Sequence, residues 1–366
     1  IGPTPLVARY KPALETSIRV MLEGFEPIER TVHGDAIGTI SLALAKSAAW
    51  TFECSGSVSQ RARVDHRTKT LWIADRSGNL CALDSATGEF RWEFESQDLS
   101  GLLSTPAIDG RQVIITSIDG PLRGIDRTTG EQVWAIPGLH SEAPPVVIDR
   151  VVFVMVEDAC VLVHADQRQE IGRIPLPGTV RTAPVKSGRW LTAVTGNGHV
   201  VTIDTRKRVV AWDQTIGPRI VSAPAAIDGR VVTATDEGRV VCFDSATGEE
   251  LWQQALTTEV TLDLTVVGER IVVPSLETVH TFSKAGSPGP TFDTGAILST
   301  APAAIGSQLF LGTRANRIPV LDGKTLNLRF EVRGKRPPTA AAGQLSATGD
   351  AVVIFGREVR GVRSAN

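Results

Sequence analysis

The sequence predicts an all-β chain, an eight-bladed β-propeller of four-stranded antiparallel blades. Three observations carry that reading: a nine-residue marker written three times, a tryptophan ruler with a period near 42, and chain ends that complement each other. The marker is DSATGEFRW at 84–92, DRTTGEQVW at 126–134 and DSATGEELW at 244–252. Trp50, Trp92 and Trp134 stand 42 residues apart, Trp212 follows after 78, and Trp252 after 40 more. Periods of this length belong to propellers and other repeat arrays rather than to two-layer domains.

Each repeat reads as four short strands. The first follows a small residue and a Pro, as in STPAID from Ser104, EAPPVVID from Glu142, RTAPVKS from Arg181, VSAPAAID from Val221 and STAPAAIG from Ser299. The segment TLDLTVVG around Leu264 fits without its Pro. A second apolar run ends in Thr or Ser, and a two-residue turn leads to the third: Ser77-Gly78, Asp119-Gly120, Asn197-Gly198 and Glu237-Gly238. Gly in second place suits the positive φ that short hairpin turns require. The marker then joins the third strand to the fourth. Asp84, Asp126 and Asp244 can fold their carboxylates onto the following backbone N–H groups, and Gly88, Gly130 and Gly248 close the turn in the left-handed region. The fourth strand carries Trp50, Trp92, Trp134, Trp212 or Trp252, a large ring free to wedge against the next blade. Burying one such ring contributes roughly 2–3 kcal/mol. The marker is therefore a structural joint rather than a repeated catalytic or metal site.

One mark is missing near Ile171 and Gly172, where Asp166 is expected to keep the leading carboxylate. Phe292 and Phe330 continue the ruler beyond Trp252. Seven repeats run from Trp50 to Phe330. Residues 41–53 are left over as a lone fourth strand, and residues 339–364 as three strands without a fourth. If the first completes the second, the ring closes with eight blades and no free edge; seven blades is the alternative. Residues 41–366 form the propeller in this reading. Residues 1–40 stand apart as an extension or linker, with Pro3, Pro5, Pro12 and Pro27 and one apolar run at 15–25, helix-like or strand-like. Ile18, Val20, Leu22 and Phe25 favour an extension packed on the ring over a free tail.

The Asp-x-x-Thr-Gly-x-x-x-Trp repeat resembles the Trp-docking motif of the PQQ-type β-propeller superfamily over about residues 45–366. Repeat number and length are most similar to the BamB group, the propeller lipoproteins of outer-membrane protein assembly. That resemblance implies a non-catalytic protein-interaction scaffold in the periplasm or at the outer membrane. An alternative is the ligand- or glycan-sensing propeller of a larger receptor or kinase-like protein. A PQQ-dependent dehydrogenase is a third reading. Those enzymes are usually longer and carry an adjacent cysteine pair against the quinone plus an acidic calcium site, whereas Cys54, Cys81, Cys160 and Cys242 are scattered. The six histidines are spread singly, and neither C-x-x-C nor H-E-x-x-H nor G-x-S-x-G occurs, so the sequence points to no enzyme, no cofactor and no metal.

With 38 basic and 40 acidic residues the formal charge is −2, which argues against a general nucleic-acid binder. No apolar run is long enough to cross a membrane. Four unpaired cysteines and a chain that starts at Ile1 without a leader keep the cytoplasm open as a location. In a propeller the turns between second and third strands share one face with the links between blades. Arg63, His140, Arg181, Arg219, Arg239, Arg314, Arg317 and Arg336 fall on that loop face, against Asp119, Glu142, Glu157, Asp158, Asp236 and Glu237. The expectation is a locally positive rim that docks another protein, an acidic peptide or an anionic glycan. In the BamB group an Arg among leucines precedes the Ala-Pro of a middle blade. Arg181 holds that place without the leucines, and the next link, with Arg219 and Ser222, lacks the acids that the resemblance implies.

Overall fold

The computed structural model describes residues 15–33, 45–96, 104–346 and 349–363. Among them every regular element is a β-strand. Blade 1 is built from Arg63–Asp65, Thr70–Ala74, Asn79–Asp84 and Phe90–Glu95, hydrogen-bonded in that order. Blades 2 to 7 repeat this order over residues 107–136, 146–175, 185–215, 225–255, 265–293 and 303–333. Blade 8 takes Ala340–Gln344, Ala351–Phe355 and Glu358–Val362 from the end of the chain and Trp50–Glu53 from its beginning. Trp50 pairs with Gly361 and Glu53 with Glu358. First strands adjoin between blades 2 and 3 and in succession from blade 4 to blade 8, and Ala340–Gln344 meets Arg63–Asp65, which closes the ring.

The period-2 alternation of each strand explains where the core lies. Leu71 and Ile73 point one way and pack with Val352 and Ile354 of blade 8. Trp72 and Ala74 point the other way and pack with Val113 and Ile115 of blade 2. Side chains on the two faces of one sheet thus serve two different joints. The buried apolar residues accordingly divide into eight clusters, one for each joint. Outer strands carry a bulge next to the marker, for example where Ala82 pairs with Trp92 but Leu83 with Phe90. Such a bulge increases local twist and swings the ring toward the neighbouring blade.

Three expectations are corrected. The leading residue of the blade 3 turn is His164, not Asp166, because Arg168 N donates to His164 O as Gly88 N does to Asp84 O. In the blade 6 turn the leading residue is Ser283, whose Oγ accepts Ala285 N and Ser287 N. Phe292 keeps the spacing but not the register. It pairs with Val279, four residues before Ser283, whereas Trp252 pairs with Cys242, two residues before Asp244. Finally, Gly78, Gly198 and Gly238 have φ near +90° as hairpin turns require, but Gly120, held before Pro121, is not in the positive-φ region.

Ahead of the ring, Glu15–Val20 pairs with Ile28–His33 as a hairpin. The chain then touches blade 7: Ala45 bridges Glu331 in parallel, Phe25 bridges Lys46, and the Phe25 ring meets Phe330 edge-on at 6.5 Å. Lys46 Nζ lies 5.2 Å from both rings. The proposed boundary at residue 40 falls outside the described residues.

Candidate functional site

Two faces of the ring offer side chains for function. On the joint face the markers are used internally. Asp84 Oδ1 accepts Ala86 N at 2.8 Å and Thr87 N at 3.1 Å; Asp126 and Asp244 repeat that geometry. Trp50, Trp92, Trp212 and Trp252 lie over Gly88, Gly130, Gly248 and Gly286 of the next blade. Trp92, Trp212 and Trp252 donate their indole N–H groups to Arg127 O, Ser245 O and Lys284 O at 3.0–3.1 Å. Trp134 differs, giving its N–H to Gln112 Oε1 of its own blade. Arg63 also turns to this face, lining a shallow hollow with Asp65, Arg67, Gly110 and Arg127. There Arg127 reaches back from blade 2 to the Asp65 carboxylate and Thr68 Oγ1 of blade 1. Burial alone would push Asp65 up, but bonds from Arg67 N, Thr68 and Arg127 hold it below the usual carboxylate range.

The loop face is arranged differently, as a set of loose pairs between neighbouring links and turns. His140 Nε2 lies 3.9 Å from Glu157, Arg181 Nε 3.5 Å from Glu142, and Arg219 Nε 3.7 Å from Asp236. The side chains of Arg181 and Arg219 are two-thirds exposed, so each pair contributes only about 0–1 kcal/mol and exchanges easily. Between these two arginines lies a hollow of about 520 Å³ lined also by Thr179, Asn197, Ile220 and Val221. Arg239 and Arg317 fold back onto the ring: Arg239 onto Gln253 Oε1 and Ile216 O, Arg317 onto Glu331 and Thr294 O. Arg314 and Arg336 are exposed without an acidic partner among the described residues.

Sequence reasoning missed two opposite charges, on blades 1 and 6, that act on each other. Arg61 and Asp263 each stand two residues before the first strand of their blade, and Asp263 Oδ1 accepts Ala223 N at 2.7 Å. Crowding by the ring lowers the Arg61 guanidinium and raises the Asp263 carboxyl, and their opposite charges partly offset both shifts. The signal was legible: a charge where other repeats place the Ala of Ala-Pro.

For chemistry, one His–carboxylate pair invites a test. His199 Nδ1 lies 2.9 Å from Asp213 Oδ1 and 3.4 Å from Thr215 Oγ1. Both partners use the same ring nitrogen, whereas a proton relay needs the orienting acid and the nucleophile on opposite nitrogens. No group of three or more His, Cys, Asp or Glu among the described residues is placed to hold a metal.

Comparison with known proteins points one way in sequence and two ways in shape. A family model described as outer membrane protein assembly factor BamB matches residues 43–168 and 196–366. The outer membrane protein assembly factor BamB of Bordetella pertussis is 26% identical over 286 residues, covering 71% of each chain. Its counterpart from Nitrosomonas eutropha is 24% identical over 202 residues, 50% of this chain and 48% of that one. Among solved structures, BamB from Moraxella catarrhalis aligns with a TM-score of 0.63 at 20% identity, covering 82% of this chain and 95% of that one. A quinohemoprotein alcohol dehydrogenase from Comamonas testosteroni aligns with a TM-score of 0.74 at 11% identity, covering 87% and 77%. Likeness at those identities shows the fold alone.

Proposed function

The chain belongs to the outer membrane protein assembly factor BamB family, and from that premise we propose that it is a non-catalytic scaffold of outer-membrane protein assembly. In this reading another protein docks on the loop face at blades 3 to 5. The observation that carries it is the hollow between Arg181 and Arg219, whose two guanidiniums are exposed and only loosely paired. Carboxylates of a partner would take the places of Glu142 and Asp236, and such charges steer encounter and fix register. Ile220 and Val221 in the same hollow offer apolar contact, which favours an acidic protein segment over an anionic glycan. The ring holds its links nearly in place, so docking orders few groups and loses little entropy.

Capture of partners from the native cell, with wild type beside the Arg181→Glu, Arg219→Glu double variant, tests the proposal. Both changes reverse exposed charges and should leave the fold intact by circular dichroism. The expected result is at least a tenfold loss of one stoichiometric protein partner. An unchanged partner set from a folded variant would remove this rim as the docking site.

A further inference from the structure

Two of the four buried thiols are neighbours in space although 27 positions separate them in sequence. Cys54 directly follows the strand Trp50–Glu53 that closes blade 8, and Cys81 sits in the third strand of blade 1. The Cys54 thiol is the first of the causes that push the Cys81 thiol up. The placement is fixed independently by what surrounds them. Ser55 Oγ and Cys81 Sγ both donate to the same atom, Glu93 Oε1, at 3.3 and 3.4 Å. Gly56 N donates to Asp75 Oδ2 at 2.7 Å. Cys54 packs in one cluster with Ile73, the residue paired with Cys81 across the sheet. On its other side Cys54 is tied to blade 8, where its N–H donates to Arg357 O and its carbonyl accepts Arg357 Nε, both at 2.9 Å. Cys160 and Cys242 lie in the separate blades 3 and 5.

We propose that Cys54 and Cys81 are a covalent modification site, forming an intrachain disulfide that staples the ring-closing strand to blade 1. The oxidant is an external disulfide, such as glutathione disulfide or a dithiol oxidase. One thiol of the pair, as its thiolate, attacks that disulfide and releases one thiol; the second then attacks the mixed disulfide and releases the other. Two electrons pass to the oxidant, and the two thiol protons end on the released thiols. In the folded ring the contact with Cys54, burial and the Glu93 carboxylate push the Cys81 thiol up. Both sulfurs are almost fully buried, so exchange belongs to folding, before the closing strand seals the joint. The bond would then act where closure is non-covalent, on a four-residue strand. Disulfides persist in oxidising compartments, and the cysteine pairing does not depend on which protein docks on the loop face.

The experiment is refolding of the full chain from denaturant in a reduced/oxidised glutathione buffer, followed by thiol blocking and peptide mass mapping. The expected outcome is loss of two of the four thiols, a Cys54–Cys81 linked peptide, and a thermal midpoint roughly 5 °C above that of the reduced protein. The Cys160→Ser, Cys242→Ser double variant should keep both the link and the shift. Cys54→Ser and Cys81→Ser should each abolish them while leaving the β-sheet spectrum unchanged. Four free thiols after refolding, or links that involve Cys160, Cys242 or a second chain, would overturn the proposal.

Discussion

The joint between blades 1 and 2 and the joint between blades 2 and 3 both begin with a buried tryptophan, and they end differently. Trp92 lies over Gly130 of the next blade, where a Cβ would come within 2.6 Å of the ring, and its N–H reaches Arg127 O across the joint. Trp134 lies over Gly124 of its own third strand and gives its N–H to Gln112 of its own blade. The turn it faces carries Arg168 where the other carries glycine, with φ 57° against 79°. A left-handed turn therefore does not by itself demand glycine here. What demands it is an indole lying on the turn.

The remaining joints agree. Gly88, Gly248 and Gly286 receive Trp50, Trp212 and Trp252. Ahead of the Arg208 turn of blade 4, the tryptophan level of blade 3 is held by Gly172, which pairs with Leu162, and Leu326 in blade 7 packs in one cluster with the displaced Phe292. Arg208 and Leu326 both have φ near +59°. The sharpest way to break this account compares two alanine substitutions. Gly110 has φ +54° and open space, with nothing within 4 Å, where a Cβ would stand, whereas Gly130 has the indole. Gly110→Ala should cost about 1 kcal/mol from the backbone alone. Gly130→Ala should cost about 3 kcal/mol, because overlap with the ring adds to the strain. Equal shifts in the urea midpoint would return the glycine to a purely conformational role.

The leading residue also separates the glycine turns from the turn that Trp134 faces. At blade 1, burial works against the Asp84 carboxylate, but bonds from Ala86 N, Arg91 and Thr87 N hold its pKa below the usual range. At blade 5, Thr247 N leads in doing the same for Asp244. At blade 3, His164 stands in that place and accepts only a 3.4 Å contact from Gln167 N. A depressed carboxylate contributes stability that is present above its unfolded pKa of about 3.9 and is lost as pH falls from there through the folded value. Asp84→Ala should cost about 1–2 kcal/mol at pH 7, mostly from the two backbone bonds, since the exposed Arg91 pair adds little. Urea midpoints followed from pH 6 to pH 2 should converge for wild type and variant below about pH 4. Parallel curves down to pH 2 would mean that the turn does not use the charge.

How much of this was legible follows from which contacts are local. The tryptophan period and the Asp and Gly of the marker are set within nine residues, so a repeated joint leaves a repeated string. The eight-blade count was readable because residues 41–53 and 339–364 are complementary fragments of one blade. Register was not readable where spacing and pairing part company. In blade 6 the turn is one residue shorter, Ser283 N reaching Ser287 O where Asp244 N reaches Glu249 O, so Phe292 keeps the ruler's distance while Pro290, two residues before it, falls at the level of the tryptophan. The candidate site was legible as a set of loop positions and no further. Arg219 and Arg239 both read as loop-face arginines, yet one projects beside the hollow and the other crosses its own sheet to Gln253. Acceptors offered by the neighbouring strand decide between those outcomes, and they lie 14 to 23 residues away. Arg61 and Asp263 each depart from the Ala of Ala-Pro within their own repeat, but neither local string says that the two charges act on each other.

The smallest effect refines the comparison from the other side. If Arg168 is there only because no indole covers the turn, glycine should be tolerated in its place. A non-glycine residue in the left-handed region costs roughly 1–2 kcal/mol, which Arg168→Gly relieves. Against that stands a more flexible unfolded chain, worth about 0.4–1 kcal/mol. The Arg168 side chain is exposed and loses little packing. The net expectation is a gain of about 0.5 kcal/mol, with Trp134 fluorescence unchanged because its ring and N–H are held by Gly124 and Gln112 of its own blade. A red or blue shift of that emission on substitution would show that the indole moves onto the turn once a glycine is present. The resting place of Trp134 would then be a consequence of Arg168, and the order of cause at this joint would run from the turn to the ring.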